Sequence, residues 1–252
     1  MVGARLLGDA LAARLGVAPA IVGRVTAPLG VDWRQELAAA QPDLHELAEG
    51  IDNILAAPAG TPVSTLSRCA VALATLPSVA RHRPDACVAW FDAHGDVNTP
   101  QTTTTGYIGG MVLTGAAGLW DSGLGGDLDL SNVVLIGARD LDPAERARIE
   151  AGAPKLVKCE PGLPERLREM INRRPVYVHL DCDVLEPGIV PTEYSVPAGL
   201  TLEDLRAACE VLATSEVVGF EIAEFEATGE NPQAPIPALL DALEPLLAAV
   251  KA

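Results

Sequence analysis

Short runs of apolar and β-branched residues alternate along this chain with longer stretches whose apolar positions recur every three to four residues. The runs at 20–25, 86–92, 133–138, 155–159, 176–183 and 217–225 read as strands. The stretches at 34–57, 64–79, 143–151, 163–172, 202–214 and 236–251 read as helices, the first interrupted near Pro42. The opening MVGARLLGDALAARLG is amphipathic, with Arg5, Asp9 and Arg14 breaking its apolar face, and no convincing strand precedes it. Strands that alternate with helices call for crossover connections, hence a parallel sheet with helices on both faces. Several of the strand runs are apolar throughout, as a sheet covered on both sides requires. No repeat, linker or low-complexity segment divides the chain, and LGGDLD at 124–129 reads as a surface loop. The expectation is one α/β domain over residues 1–252.

Composition narrows the partners. Acidic residues outnumber basic ones by 34 to 18, for a formal charge of −16. Such a chain is repelled by phosphate backbones and anionic lipid, which argues against nucleic acid and membrane as main partners. Hydrophobic residues make up 49% of the chain and aromatics only 4%, so a large core built from Ala, Leu and Val is expected. The five cysteines (Cys69, Cys87, Cys159, Cys182, Cys209) are odd in number and lack CxxC spacing, which points away from a disulfide framework and toward a reducing cytoplasm. The N-terminal segment lacks the apolar centre of a signal peptide, and no apolar run is long enough to span a bilayer.

The acids gather where chemistry sits in such a sheet, at the carboxyl ends of strands. AWFDAHGD brings Asp92, His94 and Asp96; VYVHLDCD brings Asp181 and Asp183; GFEIAEFE brings Glu221, Glu224 and Glu226. Alternation places Asp92, His94 and Asp96 on one side of their run, and Asp181 and Asp183 on one side of theirs. Four carboxylates drawn together cannot all stay ionised without a counter-charge, and divalent cations supply it. Carboxylates with one imidazole suit Mn²⁺, and the acid count suggests a binuclear site with shared carboxylates. Such acids also serve as helix N-caps at strand-to-helix turns. His179 stands two residues before Asp181, where it can support a metal ligand or be a structural core histidine.

The run Asp92-Ala93-His94-Gly95-Asp96-Val97-Asn98-Thr99-Pro100 resembles the DAHxDxN motif of the ureohydrolase (arginase) family in its arginase form. Asp181-Cys182-Asp183-Val184-Leu185-Glu186-Pro187 resembles that family's DxDxxDP motif, with Glu186 in place of the last Asp. Glu224 matches the residue that holds the guanidinium. The resemblance runs from about residue 15 to the end. It implies a three-layer αβα, arginase-like fold around a mostly parallel sheet of about eight strands, and a hydrolase acting on linear amidines. It implies one metal on Asp92, Asp96 and Asp181, and a second on Asp92, His94, Asp181 and Asp183. Asp96 and Glu224 are the implied catalytic residues. Asn98 and Thr105 match positions that bind an α-carboxylate, Asp142 the position that binds the α-amino group, and Glu145 supports it. The implied partner is a small guanidino amino acid. Thr102–Thr105 also reads as an ordinary turn, and Asp142 before Pro143 as a helix N-cap.

Two departures stand out. The family carries GGDH about 23 residues before the first aspartate, where this chain reads Leu66-Ser67-Arg68-Cys69. Cys69 therefore takes the place of a histidine ligand, and a weakened or lost ligand position is expected, because Mn²⁺ prefers oxygen and nitrogen donors. Gly109 replaces a histidine thought to shuttle protons, which predicts a wider mouth. Both losses resemble the branch that cleaves Nω-hydroxy-L-arginine to hydroxyurea and L-ornithine in antibiotic (D-cycloserine) biosynthesis. A hydroxyguanidine is less basic than a guanidine, hence more often neutral and easier to attack. The alternatives are an arginase, a hydrolase of another guanidino acid, or an inactive relative that only binds. A monomer or small homo-oligomer is expected. A trimer built on a C-terminal tail is not expected, since the sequence stops at Ala252, directly after its last helix.

Overall fold

The computed structural model describes residues 2–26 and 29–251. Among them a six-stranded sheet, entirely parallel, runs in the order β1-β6-β5-β2-β3-β4. Its strands are β1 (Val63–Thr65), β2 (Cys87–Phe91), β3 (Val133–Ile136), β4 (Lys155–Val157), β5 (Val176–Asp181) and β6 (Val217–Ala223). The helices are α1 (Val2–Leu15), α2 (Trp33–Ala56), α3 (Ala72–His82), α4 (Val112–Ala116), α5 (Pro143–Glu150), α6 (Leu163–Ile171), α7 (Leu202–Leu212), α8 (Ile236–Ala242) and α9 (Glu244–Lys251).

The pleat sorts the core into two layers. Cys87, Ala89 and Phe91 of β2 face α1, α6, α7, α8 and α9, while Val88 and Trp90 face α2, α3 and α4. The result is the expected three-layer αβα arrangement, and β2, β3, β5 and β6 are buried along their whole length. All five cysteines are free. No helix among the described residues is long and apolar enough to cross a membrane.

Several expectations need correction. The sheet has six strands among the described residues rather than about eight. The run 20–25 is no strand: it lies exposed with no sheet neighbour, so its β-branched residues have nothing to pair with. Residues 64–79 are not one helix. Val63–Thr65 pairs with Phe220–Ile222 of β6, a tight turn follows at Cys69–Val71, and α3 begins only at Ala72. Finally, 236–251 is two helices. Pro245 has no N–H to give the Asp241 carbonyl, which accepts instead from Arg206 Nη1 at 2.8 Å, and the chain breaks between α8 and α9.

Pro42 does not interrupt α2, which continues to Ala56. Pro42 is exposed on the helix face opposite the buried Leu37, Leu44 and Ile51, so the carbonyl it leaves unpartnered faces water. The 124–129 segment is a loop as expected, though Leu124 and Leu128 are buried beneath it.

The chain order explains where a site forms. From β2 the chain steps outward through β3 to β4 at one edge, then crosses back to β5 on the other side of β2. That reversal opens a crevice beyond the carboxyl ends of β2 and β5. In register, Phe91 lies beside Leu180, so the residues leaving β2 and β5 begin as neighbours.

Candidate metal centre

Asp92 leaves β2, Asp181 ends β5 and Asp183 sits in the turn Cys182–Val184, all three almost fully buried. The turns are built from the acids themselves. Asp181 Oδ1 accepts the Asp183 N–H at 2.7 Å, Asp92 Oδ1 accepts the His94 N–H at 2.6 Å, and Asp183 Oδ1 accepts the Ala93 N–H at 3.1 Å. These side chains thus act as caps and still keep oxygen lone pairs for another partner. Strand alternation does not carry His94, Asp96 and Asp183 to the site, because β2 ends at Phe91 and β5 at Asp181. Turn geometry does, including a left-handed Asp96 at φ 53°. Glu224, just past β6, is left-handed too, at φ 61°. Such backbone is held only where surrounding contacts over-determine it, and it gathers at functional sites.

Ligand-type atoms converge in three overlapping groups, each within 4.8 Å: Cys69 with Asp92 and Asp96, Asp92 with His94 and Asp183, and Cys69 with Asp181 and Glu224. His94 Nδ1 lies 3.2 Å from Asp92 Oδ1 and 3.1 Å from Asp183 Oδ2. Burial opposes charge on that ring, but hydrogen bonds to Asp183 and Asp92 outweigh it and push His94 up to about 12. Burial, then the charge of Asp92, holds both Asp96 and Asp181 well above the usual carboxylate range. Asp183 is raised by burial, whereas His94 draws Asp92 below its ordinary value despite burial. This is the electrostatic signature of a nest short of positive charge. His94 and Arg68 are the cationic side chains that hydrogen-bond these carboxylates among the described residues. A donor set of buried oxygens and one imidazole, held protonated for want of counter-charge, fits hard divalent cations.

Cys69 lies in the turn after β1, buried, with Sγ 3.0 Å from Asp181 Oδ2 and 3.2 Å from His179 Nε2. Burial and then the charge of Asp181 push its thiol well above the ordinary 9.0, so it is a neutral thiol that donates to Asp181. His179 has a larger part than sequence reading gave it. Its ring stacks on Trp90 at 3.5 Å, and its Nδ1 lies 2.7 Å from Glu221 Oε1. Glu221 Oε2 in turn accepts from Tyr177 at 2.5 Å. Trp90 Nε1 donates to Asp92 Oδ2 at 3.1 Å. A fully buried polar chain therefore supports Asp181 and Cys69 from beneath.

Glu224, only 5% exposed, is engaged on both oxygens. Oε1 accepts from the Cys69 N–H at 2.9 Å and the Tyr107 hydroxyl at 3.2 Å, and Oε2 from Arg68 Nη1 at 2.7 Å. The mouth is not widened at Gly109, contrary to expectation. The Tyr107 ring fills that space: a Cβ on Gly109 would stand 2.3 Å from Tyr107 Cε1. Tyr194 borders the same opening, 5.4 Å from the His94 ring and 6.0 Å from that of Tyr107. Arg68, Tyr107 and Tyr194 were given no role from sequence. Their signal lay in contacts across long stretches of chain.

Asn98, Asp142 and Glu145 do come together. Asn98 Nδ2 donates to Asp142 Oδ2 at 2.9 Å. Glu145 accepts from the Asp142 N–H at 3.0 Å and the Val97 N–H at 3.2 Å, tying the start of α5 to the metal-motif loop. Gly95 permits this approach, since a Cβ there would meet the Glu145 carboxylate carbon at 2.9 Å. Thr105 is exposed and accepts the Tyr107 N–H at 3.1 Å; the threonine that reaches Asn98 is Thr102, at 3.0 Å.

A family model described as the arginase family matches residues 69–234. N(omega)-hydroxy-L-arginine amidinohydrolase of Streptomyces lavendulae is 38% identical over 252 residues, spanning 99% of this chain and 92% of that protein. Arginase of Bacillus caldovelox is 34% identical over 164 residues, spanning 59% of this chain and 55% of that protein. The solved structure of the Bacillus caldovelox arginase superposes with a TM-score of 0.79 at 26% identity, covering 96% of this chain and 90% of that one. The arginase from Bacillus cereus gives a TM-score of 0.80, also at 26% identity, over 96% and 90% of the two chains. Motifs, topology and convergent acids agree with these likenesses: the chain belongs to the arginase family, hydrolases of linear amidines.

Proposed function

We propose that this chain is a Mn²⁺-dependent amidinohydrolase that converts Nω-hydroxy-L-arginine and water to hydroxyurea and L-ornithine. The observation that carries the reading is the buried nest in which Asp92, His94, Asp96, Asp181 and Asp183 meet Cys69 and Glu224. The choice of a hydroxylated substrate is supported by likeness to the Streptomyces lavendulae amidinohydrolase over 99% of this chain. A neutral Cys69 thiol also favours a substrate that is easily attacked.

Asp92, Asp96 and Asp181 would hold one cation with Cys69 as a poor fourth donor, and Asp92, His94, Asp181 and Asp183 a second. Divalent cations there supply Lewis acidity, which lets the carboxylates ionise and makes water a nucleophile near neutral pH. Asp96 takes the proton of the attacking water and delivers it to the departing ornithine nitrogen as the C–N bond breaks. Glu224 orients the hydroxyguanidine group. Asn98, Thr105 and Asp142, with Glu145 bracing the last, hold the amino-acid end and set the reacting carbon in place.

The test is ornithine release from purified enzyme with excess Mn²⁺, given either L-arginine or Nω-hydroxy-L-arginine. Release mainly from the hydroxylated substrate is expected. Release mainly from arginine identifies an arginase instead, and release from neither removes the proposal.

A further inference from the structure

Glu224 offers about four lone-pair sites, and three are already taken by Cys69, Tyr107 and Arg68. Arg68 is the donor that bears on selectivity. Its guanidinium bridges buried Glu224 to Glu226 at 3.2 Å and to half-exposed Glu193, and its side chain is 29% exposed at the mouth. An arginine guanidinium stays charged throughout the working pH range, and the carboxylates of Glu193, Glu224 and Glu226 hold this one in place. Arg68 is therefore a fixed cation standing where a substrate's guanidino group must approach Glu224.

A guanidinium carries donors and no acceptor. A cationic arginine side chain arriving here meets a second cation and finds a bidentate grip on Glu224 blocked. A neutral hydroxyguanidine differs in both respects. It brings no charge, and its imine-type nitrogen and hydroxyl oxygen accept hydrogen bonds that Arg68 can donate.

We infer that Arg68 is a specificity-determining residue that selects a neutral hydroxyguanidine over a cationic guanidinium at Glu224. The inference rests on the reading above, in which Glu224 faces the guanidino group.

The experiment compares wild type, Arg68→Met and Arg68→Lys, all loaded with Mn²⁺. It measures kcat and KM by ornithine release from both substrates, and the Kd of L-arginine by calorimetry. In Arg68→Met the ratio of kcat/KM for hydroxyarginine over arginine falls at least tenfold, largely through a lower arginine KM. Arg68→Lys keeps the positive charge and retains most of the ratio. A ratio in Arg68→Met within twofold of wild type overturns the inference, as does an equal loss in Arg68→Lys. If wild type releases ornithine from neither substrate, the proposed activity fails and the calorimetry decides alone. Tighter L-arginine binding by Arg68→Met then supports Arg68 as a barrier to guanidinium, and unchanged Kd overturns it.

Discussion

Replacing Cys69 by histidine is expected to tighten the weaker metal position by about 30- to 300-fold. A thiol must lose its proton before it binds Mn²⁺, and its ordinary pKa is 9.0 against 6.5 for an imidazole. Were neither group perturbed, the thiol at about pH 7.5 would need about 2 kcal/mol more for deprotonation, at 1.36 kcal/mol per unit. The surroundings enlarge that gap. Nearby carboxylates disfavour a thiolate and favour an imidazolium, so they raise both groups together. Burial acts oppositely on the two, raising the thiol and lowering the imidazole. With both groups above the assay pH, the full difference of 9.0 − 6.5 = 2.5 units applies, about 3.4 kcal/mol. The preference of Mn²⁺ for nitrogen over sulfur adds in the same direction.

The imidazole must turn toward Asp92 and Asp96, because His179 Nε2 lies 3.2 Å from the present Sγ. Crowding of that kind costs about 1–3 kcal/mol of stability. It burdens the metal-free and metal-bound protein alike, so it largely cancels from the affinity. The assay is a Mn²⁺ titration of wild type and Cys69→His by calorimetry, with free ion followed by electron paramagnetic resonance. A second equivalent of Mn²⁺ should bind the variant at concentrations where wild type holds mainly one. A folded variant whose weaker Kd moves less than threefold would refute the placing of Cys69 at a ligand position.

Three further outcomes are expected. Mn²⁺ binding should release protons and strengthen with pH: His94, near 12, and the raised Asp96 and Asp181 are protonated below their pKa values, so proton and metal compete, as titrations in buffers of differing ionisation enthalpy will show. Glu221→Leu strands the buried Tyr177 hydroxyl and His179 Nδ1 and should lower the unfolding free energy by about 3–5 kcal/mol; a loss under about 1 kcal/mol in urea denaturation would show that this chain is not stabilising. Gly109→Ala should displace the Tyr107 ring and cost about 1–3 kcal/mol, whereas unaltered stability and tyrosine fluorescence would mean that the ring does not fill that space.

The central strands were legible because burial on both faces writes an apolar run into β2, β3, β5 and β6. At the margins the same signal failed. The run 20–25 carries strand-type residues without a sheet neighbour, and β1 is three half-buried residues whose pairing with β6 is a tertiary fact. Local propensity cannot report either. The acids were legible as a group because their order along the chain matches a motif. How they converge was not, since turns and the left-handed Asp96, rather than strand alternation, bring them together. Thr102 contacts Asn98 although Thr105 matched the motif position, and neighbouring threonines in one loop look alike until the loop is folded.

Three oddities of the sequence also prove to be one structural unit. Arg68 and Cys69 replace the expected motif before α3, and Gly109 replaces a histidine some forty residues later. Read separately, they suggest a lost ligand and a lost side chain. In the folded chain all three act on Glu224: Cys69 through its backbone N–H, Arg68 through its guanidinium, and Gly109 by leaving room for the Tyr107 ring whose hydroxyl reaches the same carboxylate. Arg68 adds a donor to that carboxylate and Gly109 preserves the space for another, which reduces what remains for a cation, whereas the N–H of residue 69 is a contact that any non-proline residue there would make. The sulfur at Cys69 acts in the same sense on the metal side, as a neutral thiol spending its proton on Asp181. Under the proposed function such a site suits a substrate that arrives without charge, so the selectivity proposed for Arg68 and the loading of the Cys69 position are best measured in the same set of variants.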